Sequence, residues 1–247
     1  MIRIGLIGYG RMGKLIHEIS EDNDVKITQI FDPNEHNILS SNSNLSDVEV
    51  FIDFSTPEKL FANAEIILKK NKKLVIGTTG WYENLGKMEN LCHKYDSGII
   101  VGGNFSVGMN AFYEIINYAS KLFNKLNDYD VYGWEQHHSG KADSPSGTAK
   151  EISSIILNNI ERKTIAQFDK LDRKIKPEEL HFASIRGGRI SGIHNVQFDS
   201  PFDTLTLNHS AKNRQGFAIG AIEAAKWLSQ RKGFYMYKDI FKGIYNL

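Results

Sequence analysis

Ile2-Arg3-Ile4-Gly5-Leu6-Ile7-Gly8-Tyr9-Gly10-Arg11-Met12-Gly13-Lys14-Leu15-Ile16-His17-Glu18-Ile19-Ser20 decides the fold at the start of this chain. An apolar run of strand length, Ile2 to Ile7, meets a glycine-rich turn, and a helix-like stretch follows at once. A GxGxxG pattern alone is a weak signal; between a strand and a helix it is a strong one for dinucleotide binding. Gly8 permits the tight turn, Gly10 lets the main chain approach a pyrophosphate, and Gly13 lets the helix pack on the strand. The helix N-terminus then offers N–H groups and the positive end of its dipole to phosphate. Gly8, Tyr9, Gly10, Arg11, Met12 and Gly13 are therefore candidate cofactor contacts, the plainer alternative being an ordinary glycine turn.

A second strand, Val25 to Phe31, ends at Asp32, nineteen positions beyond Gly13. A carboxylate there accepts hydrogen bonds from the adenosine ribose hydroxyls and repels a 2'-phosphate. Pro33 and Asn34 add no cation to hold such a phosphate, so NADH is expected to be preferred over NADPH. The duller reading of Asp32 is a turn-forming Asp-Pro. Strands over Val48 to Phe54, Lys73 to Ile76 and Gly98 to Val101 follow, with a helix from Glu58 to Lys70. Two of these strands end in small polar segments, Gly77-Thr78-Thr79-Gly80 and Gly102-Gly103-Asn104-Phe105-Ser106. Short apolar strands alternating with helices predict an α/β fold with a doubly wound parallel sheet, and such sheets bind ligands at their carboxyl edge. The Asn/Ser-rich segment from Asn34 to Asp47 reads as a loop too polar to pack.

From Val107 the pattern changes. Met109, Phe112, Ile116, Ala119, Phe123 and Leu126 mark a long amphipathic helix. A strand follows with Val131, Gly133 and Glu135 on one side and Tyr132, Trp134 and Gln136 on the other. It runs into His137-His138-Ser139-Gly140-Lys141-Ala142-Asp143-Ser144-Pro145-Ser146-Gly147-Thr148, after which Ile152, Ile155, Ile156 and Ile160 lie on one helical face. Two imidazoles, an ammonium group and a helix N-terminus at Gly147 and Thr148 make a loop suited to holding an anion beside proton donors. Paired histidines also serve as metal ligands, but no third ligand stands at suitable spacing, so no metal is expected. Either histidine could instead be a hydrogen-bonded strand-end residue, the plainer alternative for His138. Glu135 orients a neighbour or faces solvent rather than acting as a base, and Arg186 and Lys212 read as surface cations. Strand-like runs around Phe182 to Phe198 and Thr204 to Asn208, with no helix between them, predict a mixed or antiparallel sheet. A sheet of this kind with an uncovered apolar face suits self-association.

The 247 residues are enough to bury roughly three-quarters of the unfolded surface. Hydrophobic residues at 41% and charged residues at 24% exclude a disordered chain. A net charge of +1 gives no global field for nucleic acid or anionic lipid, and no apolar run has the length of a membrane span. One cysteine, Cys92, and a first strand without a basic leader lead to the expectation of a cytoplasmic protein.

Together these motifs resemble the dihydrodipicolinate reductase family along essentially the whole chain. The resemblance rests on GYGRMG at Gly8 to Gly13, IDFSTP at Ile52 to Pro57, GTTGW at Gly77 to Trp81 and NFSVGMN at Asn104 to Asn110. It rests further on EQHHSGKADSPSGTA at Glu135 to Ala149 and RGGRISGIHNV at Arg186 to Val196. The resemblance implies reduction of a small cyclic imine dicarboxylate by NAD(P)H in diaminopimelate and lysine biosynthesis. It implies His137 as proton donor or acceptor, Lys141 as proton donor, His138 as a substrate contact, and Gly147 and Thr148 as donors to a substrate carboxylate. Gly77, Thr78 and Thr79 with Gly102, Gly103, Asn104 and Phe105 are implied to line the nicotinamide and ribose. It also implies a dinucleotide-binding domain over 1–107 and 215–247, a substrate-binding and oligomerisation domain over 108–214, and a homotetramer. Two departures stand out: the glycine loop is one residue shorter than the usual family form, and Pro33 stands where some members carry arginine. Another NAD-linked imino or keto dicarboxylate reductase shares every cofactor feature. A nucleotide sensor that has lost catalysis is the remaining alternative, against which the His137, Lys141 and Gly147-Thr148 grouping argues.

Overall fold

The computed structural model describes residues 1–34 and 36–247, leaving out Glu35, and divides into two compact units. One unit comprises residues 1–107 and 214–247; the other comprises residues 108–213. The first holds strands β1 (Ile2–Ile7), β2 (Val25–Phe31), β3 (Val50–Asp53), β4 (Lys73–Ile76) and β5 (Gly98–Val101), with helices α1 (Arg11–Glu18), α2 (Pro57–Lys69) and α3 (Leu85–Lys94). The chain returns to it with α6 (Gln215–Leu228), β11 (Gly233–Met236) and α7 (Tyr237–Tyr245). All six strands are parallel, in the order β11-β5-β4-β3-β1-β2. Apart from Asp53 and Lys73 at their ends, β3 and β4 are apolar, and they are almost wholly buried, as strands covered on both faces must be.

The order reverses at β1, which has β2 on one side and β3 on the other, and a doubly wound sheet opens its ligand crevice at such a point. Beyond each strand the ladder continues for one residue: Gly8 N donates to Phe31 O (2.9 Å), Phe54 N to Ile7 O (2.9 Å), Gly77 N to Asp53 O (2.9 Å) and Gly102 N to Ile76 O (3.0 Å). The loops after β1, β3, β4 and β5 thus leave the sheet at one level, along one edge.

The second unit contains most of α4 (Val107–Phe123), then β6 (Asp130–His137), α5 (Gly147–Asn159), β7 (Ile165–Gln167), β8 (Glu179–Arg186), β9 (Ile193–Asp199) and β10 (Thr204–Ser210). Its sheet runs β10-β9-β6-β8-β7, with β6, β8 and β7 parallel and β9 and β10 antiparallel to their neighbours, a mixed sheet as the sequence predicts. Phe112, Ile116, Ile152 and Ile156 from the helices pack with Val131, Phe182, Val196 and Phe198 from the sheet. The other face carries Tyr132, Trp134 and Ile185, half-buried or exposed.

Three sequence expectations need correction. The Asn34–Asp47 segment does pack: Leu45 is buried in the first unit's core and Leu39 lies against it, so two leucines suffice to dock a polar loop. Gln29 Nε2 donates to Asn44 O (2.8 Å) and Thr28 Oγ1 to Asp47 O (2.9 Å), tying the loop to β2. The third strand is shorter than Val48–Phe54, and its helix starts one residue early because Pro57 suits the first helical position. The C-terminal segment, which the resemblance assigns to the dinucleotide-binding domain, completes the parallel sheet with β11 beside β5 and continues into α7.

Candidate active site

The buried side of β6 passes from core to polar chemistry over eight residues. Val131 joins the apolar cluster, and Gly133 leaves the space that the Phe182 ring fills, since a Cβ there would stand 2.5 Å from it. Then come Glu135, with no exposure, and His137, 8% exposed. Glu135 is therefore not a solvent-facing residue. Its Oε1 accepts from Ser146 N (2.9 Å), Ser184 Oγ (2.8 Å) and Arg186 Nη2 (2.7 Å), and its Oε2 accepts from Ser146 Oγ. His137 Nε2 and His194 Nε2 lie 3.2 and 3.4 Å from Oε2, but their N–H directions miss it, so these are close polar contacts rather than aligned hydrogen bonds. Cross-strand register explains the gathering: Glu135 stands opposite Ser184 on β8 and His194 on β9. Arg186 is accordingly not a surface cation, whereas Lys212 is exposed.

Arg186 Nη2 also donates to Asp143 O (2.8 Å), fastening the loop that follows β6 to the sheet. At the loop's start His138 N donates to Ile190 O (2.9 Å) and Gly187 N to His137 O (3.0 Å). Gly192, at φ 155, lies beneath the His137 ring, where a Cβ would stand 3.0 Å from Cε1. At the loop's end Ser146 caps α5: its Oγ accepts from Ala149 N (3.1 Å), a contact typically worth about 1 kcal/mol. The same hydroxyl donates to Glu135. Gly147 is exposed, and a Cβ on it would meet no atom within 4 Å. Lys141 Nζ pairs with Asp143 Oδ1 at 2.7 Å. His137 thus closes β6, His138 and Lys141 lie on the loop that follows, and Gly147 and Thr148 open α5.

Burial lowers the His137 pKa from its ordinary value; Glu135 opposes this, and His194, Lys141 and Arg186 reinforce it. Burial pushes the Glu135 carboxyl up, but its contacts with His194, Ser146 and Arg186 prevail and hold it well below the usual carboxylate range. Burial also lowers His209, which pairs in register with His194. In the unfolded chain these histidines take protons near pH 6.5 that the folded chain refuses. Their contribution is complete above that pH and shrinks as the pH falls through it; Glu135 adds a loss of the same sign below 4.5. The melting midpoint should therefore drop by a few degrees between about pH 7.5 and about 5.5, and less in His137→Gln. Scanning calorimetry across that window tests this; a flat midpoint would contradict it.

Although no third metal ligand stands near the histidine pair in sequence, the fold brings Glu135, His137 and His194 ligand atoms within 4.8 Å. The carboxylate is already engaged by Arg186, Ser184 and Ser146, so a cation there would compete with a guanidinium for the same oxygens.

In the other unit, Gly8 to Gly13 form the turn from β1 into α1, with Gly8 at φ 84. A Cβ on Gly10 would meet nothing within 4 Å, whereas one on Gly13 would stand 2.3 Å from Gly8 O, so the turn is tight behind and open in front. That shape fits a pyrophosphate. Asp32 Oδ2 accepts from Tyr9 N (2.7 Å) and Oδ1 from Asn34 N (2.9 Å), placing the carboxylate beside the glycine turn. Lys14 lies over the Tyr9 ring, and His36 meets it edge-on at 4.8 Å. Gly77, Thr79, Gly103 and Asn104 lie at the same sheet edge, after β4 and β5. Two residues differ from the cofactor-contact expectation in what their side chains do. Phe105 is buried between Phe54 and Tyr237, so only its main chain can serve a ligand. Thr78 is buried and turns its hydroxyl to Asp53 Oδ1 (3.0 Å). Asp53 goes unassigned in the sequence reading, yet it also accepts from Ser55 N (2.8 Å) and binds the loops after β3 and β4 together. An acid closing an otherwise apolar buried strand was the available signal.

Two family models match the chain: "Dihydrodipicolinate reductase, N-terminus" over residues 2–105 and "Dihydrodipicolinate reductase, C-terminus" over residues 108–241. Among curated relatives, 4-hydroxy-tetrahydrodipicolinate reductase of Christiangramia forsetii is 36% identical over 244 residues, covering 99% of each chain. The protein of that name from Archaeoglobus fulgidus is 36% identical, covering 94% of this chain and 96% of its own. Among solved structures, dipicolinate-bound dihydrodipicolinate reductase from Paenisporosarcina sp. TG-14 superposes with a TM-score of 0.79 at 23% identity, covering 97% of this chain and 99% of that one. At that identity the likeness speaks for the fold. An amine dehydrogenase from Mycobacterium smegmatis shares the fold more distantly, with a TM-score of 0.62 at 10% identity over 96% of this chain and 95% of that one.

Proposed function

The chain belongs to the dihydrodipicolinate reductase family, and from that premise we propose how its own residues carry out the reaction. The activity is an NAD(P)H-dependent reduction of 4-hydroxy-tetrahydrodipicolinate to tetrahydrodipicolinate in diaminopimelate and lysine biosynthesis. After loss of water the substrate is a cyclic imine dicarboxylate with an electrophilic C4 at the end of a conjugated system. The dinucleotide, when bound, supplies a hydride to that carbon. Electron density moves toward the ring nitrogen, and a proton must then be delivered.

The observation that carries our reading is the loop from His137 to Thr148, which sets an imidazole, an ammonium group and a helix N-terminus between two anchored ends. Lys141 is the proton donor. Its partner Asp143 is 57% exposed, so the pair is weak and yields readily to a substrate anion. His137 is held neutral near pH 7 by burial, which suits it to accept or relay a proton rather than to act as the first acid. Gly147 and Thr148 receive a substrate carboxylate: the donors of Ser146 and Ala149 are already used inside the protein, and Gly147 is open. His138, half-buried at the loop's start, contacts the substrate.

The glycine turn, with Gly8, Gly10 and Gly13 shaping it and Tyr9, Arg11 and Met12 between, holds the dinucleotide. Gly77, Thr78, Thr79, Gly102, Gly103, Asn104 and the Phe105 main chain line its nicotinamide end. The Asp32 carboxylate beside Tyr9 N disfavours a 2'-phosphate, so NADH is the preferred cofactor, with Lys14 and His36 leaving a weaker route for NADPH. The uncovered sheet face with Tyr132, Trp134 and Ile185 supports self-association as a homotetramer. A lone buried cysteine, and no described helix long and apolar enough to cross a membrane, support a cytoplasmic location.

The test is oxidation of NADH and NADPH in parallel on freshly generated 4-hydroxy-tetrahydrodipicolinate. NADH is expected to give the higher kcat/KM. A higher value with NADPH would overturn the role given to Asp32, and binding of either cofactor without turnover would favour a nucleotide sensor.

A further inference from the structure

Nothing in the proposed chemistry uses Glu135, although it is the most fully engaged side chain of the second unit's site. We propose that Glu135 is a positioning residue: one buried carboxylate is the counter-charge beside His137 and anchors the middle and the far end of the loop that carries Lys141. The inference rests on the reading of His137 as the proton-handling imidazole.

The argument is geometric. Ser146 N and Oγ bind Glu135, and Ser146 caps α5, so the carboxylate sets where the helix N-terminus begins. Arg186 bridges Glu135 and Asp143 O, so the middle of the loop hangs on the same group. His137 Nε2 sits 3.2 Å from Oε2. The other groups that act on His137 are His194 on β9, Lys141 on the loop and Arg186 on β8. Glu135 is thus the counter-charge to the Lys141 and Arg186 cations, and Asp143, farther along the loop, is paired with Lys141. A carboxylate held for packing alone would be a poor choice, because burying an ion is costly unless every lone pair is met. Here three hydrogen bonds to Oε1 and one to Oε2 offset that cost.

The sign follows directly. Removing the negative charge makes His137 harder to protonate, and removing the Arg186 cation makes it easier. The experiment follows the His137 ring by NMR titration in the full-length protein without substrate, and the acid limb of kcat/KM in parallel. Glu135→Gln should move both to lower pH by about one unit. Arg186→Gln should move them upward, and Ser184→Ala, which removes a neutral partner of Oε1, should leave them in place. General loosening of the site cannot produce opposite shifts in two variants. Shifts of the same sign in Glu135→Gln and Arg186→Gln, or none, would overturn the proposal. Should Glu135→Gln not fold, Arg186→Gln still decides: an unmoved or lowered His137 titration overturns it. If the NMR titration moves as stated while the kinetic limb stays fixed, the positioning role stands and the assignment of His137 in the reaction falls.

Discussion

Lys141→Ala is expected to lower kcat/KM by about 10²- to 10⁴-fold, the usual worth of a positioned proton donor, while cofactor affinity and the melting midpoint stay near those of the parent. The asymmetry comes from where the lysine sits. Its side chain is 24% exposed and its ion-pair partner Asp143 is 57% exposed, so the loss to the fold is about 1 kcal/mol at most. The backbone bond from Lys141 N to His138 O, 3.1 Å, survives the substitution, and Arg186 continues to hold the loop through Asp143 O. Lys141→Arg sharpens the test, because a guanidinium keeps the positive charge but does not release its proton in a protein. If Lys141 acts by donating, arginine restores substrate affinity without restoring kcat. If it acts only by attracting the dicarboxylate, arginine recovers most of both. Near-normal turnover by Lys141→Ala would remove it from the mechanism and leave the imidazoles of His137 and His138 to supply the proton.

The parts of the molecule that were legible in sequence are those whose physics is local. The glycine turn announces itself because each glycine answers a constraint within a few residues, and the alternation Val131, Gly133, Glu135 puts one side of β6 in the core as observed. The helix after Ser146 is equally local, since its cap and its apolar stripe lie within fourteen positions. The hidden part is carried by strand register. Ser184 and Arg186 come 49 and 51 residues after Glu135, and nothing near them in sequence says that they will stand opposite a buried acid. Arg186 looked like a surface cation for that reason. Glu135 itself did carry a signal: a carboxylate on the apolar side of an alternating strand is costly unless partners meet it. The same logic would have found Asp53. Phe105 is a different case: the resemblance places it beside the nicotinamide, and since its ring belongs to the core, a contact there falls to its main chain. Leu45 was missed because two leucines among asparagines and serines make no periodic pattern, yet together they seat the loop.

Gly8→Ala and Gly10→Ala are expected to fail in different ways, and the contrast tests the cofactor site without any assay of turnover. At Gly8 the backbone has φ 84, and an added Cβ would stand 2.6 Å from Phe54 O and 2.9 Å from Ser55 N. Neither atom can move freely, because Phe54 N is bonded to Ile7 O and Ser55 N to Asp53 Oδ1. Left-handed strain and the main-chain clash together should cost about 2–5 kcal/mol, so the variant melts early or does not fold. Gly10 has an ordinary φ of −74, and its Cβ would meet no protein atom within 4 Å. Alanine there should cost the fold about 1 kcal/mol or less, the difference expected of a helix cap. The methyl group would nevertheless occupy the space through which the main chain meets the pyrophosphate. NADH affinity, read by fluorescence titration or calorimetry, should fall about tenfold or more, which is about 1.4 kcal/mol of binding. A Gly10→Ala protein that binds NADH as tightly as the parent would place the pyrophosphate elsewhere and withdraw the assignment of Gly8 to Gly13. A Gly8→Ala protein of unchanged stability would show instead that the turn relaxes, and that glycine at this position answers to the ligand rather than to the sheet.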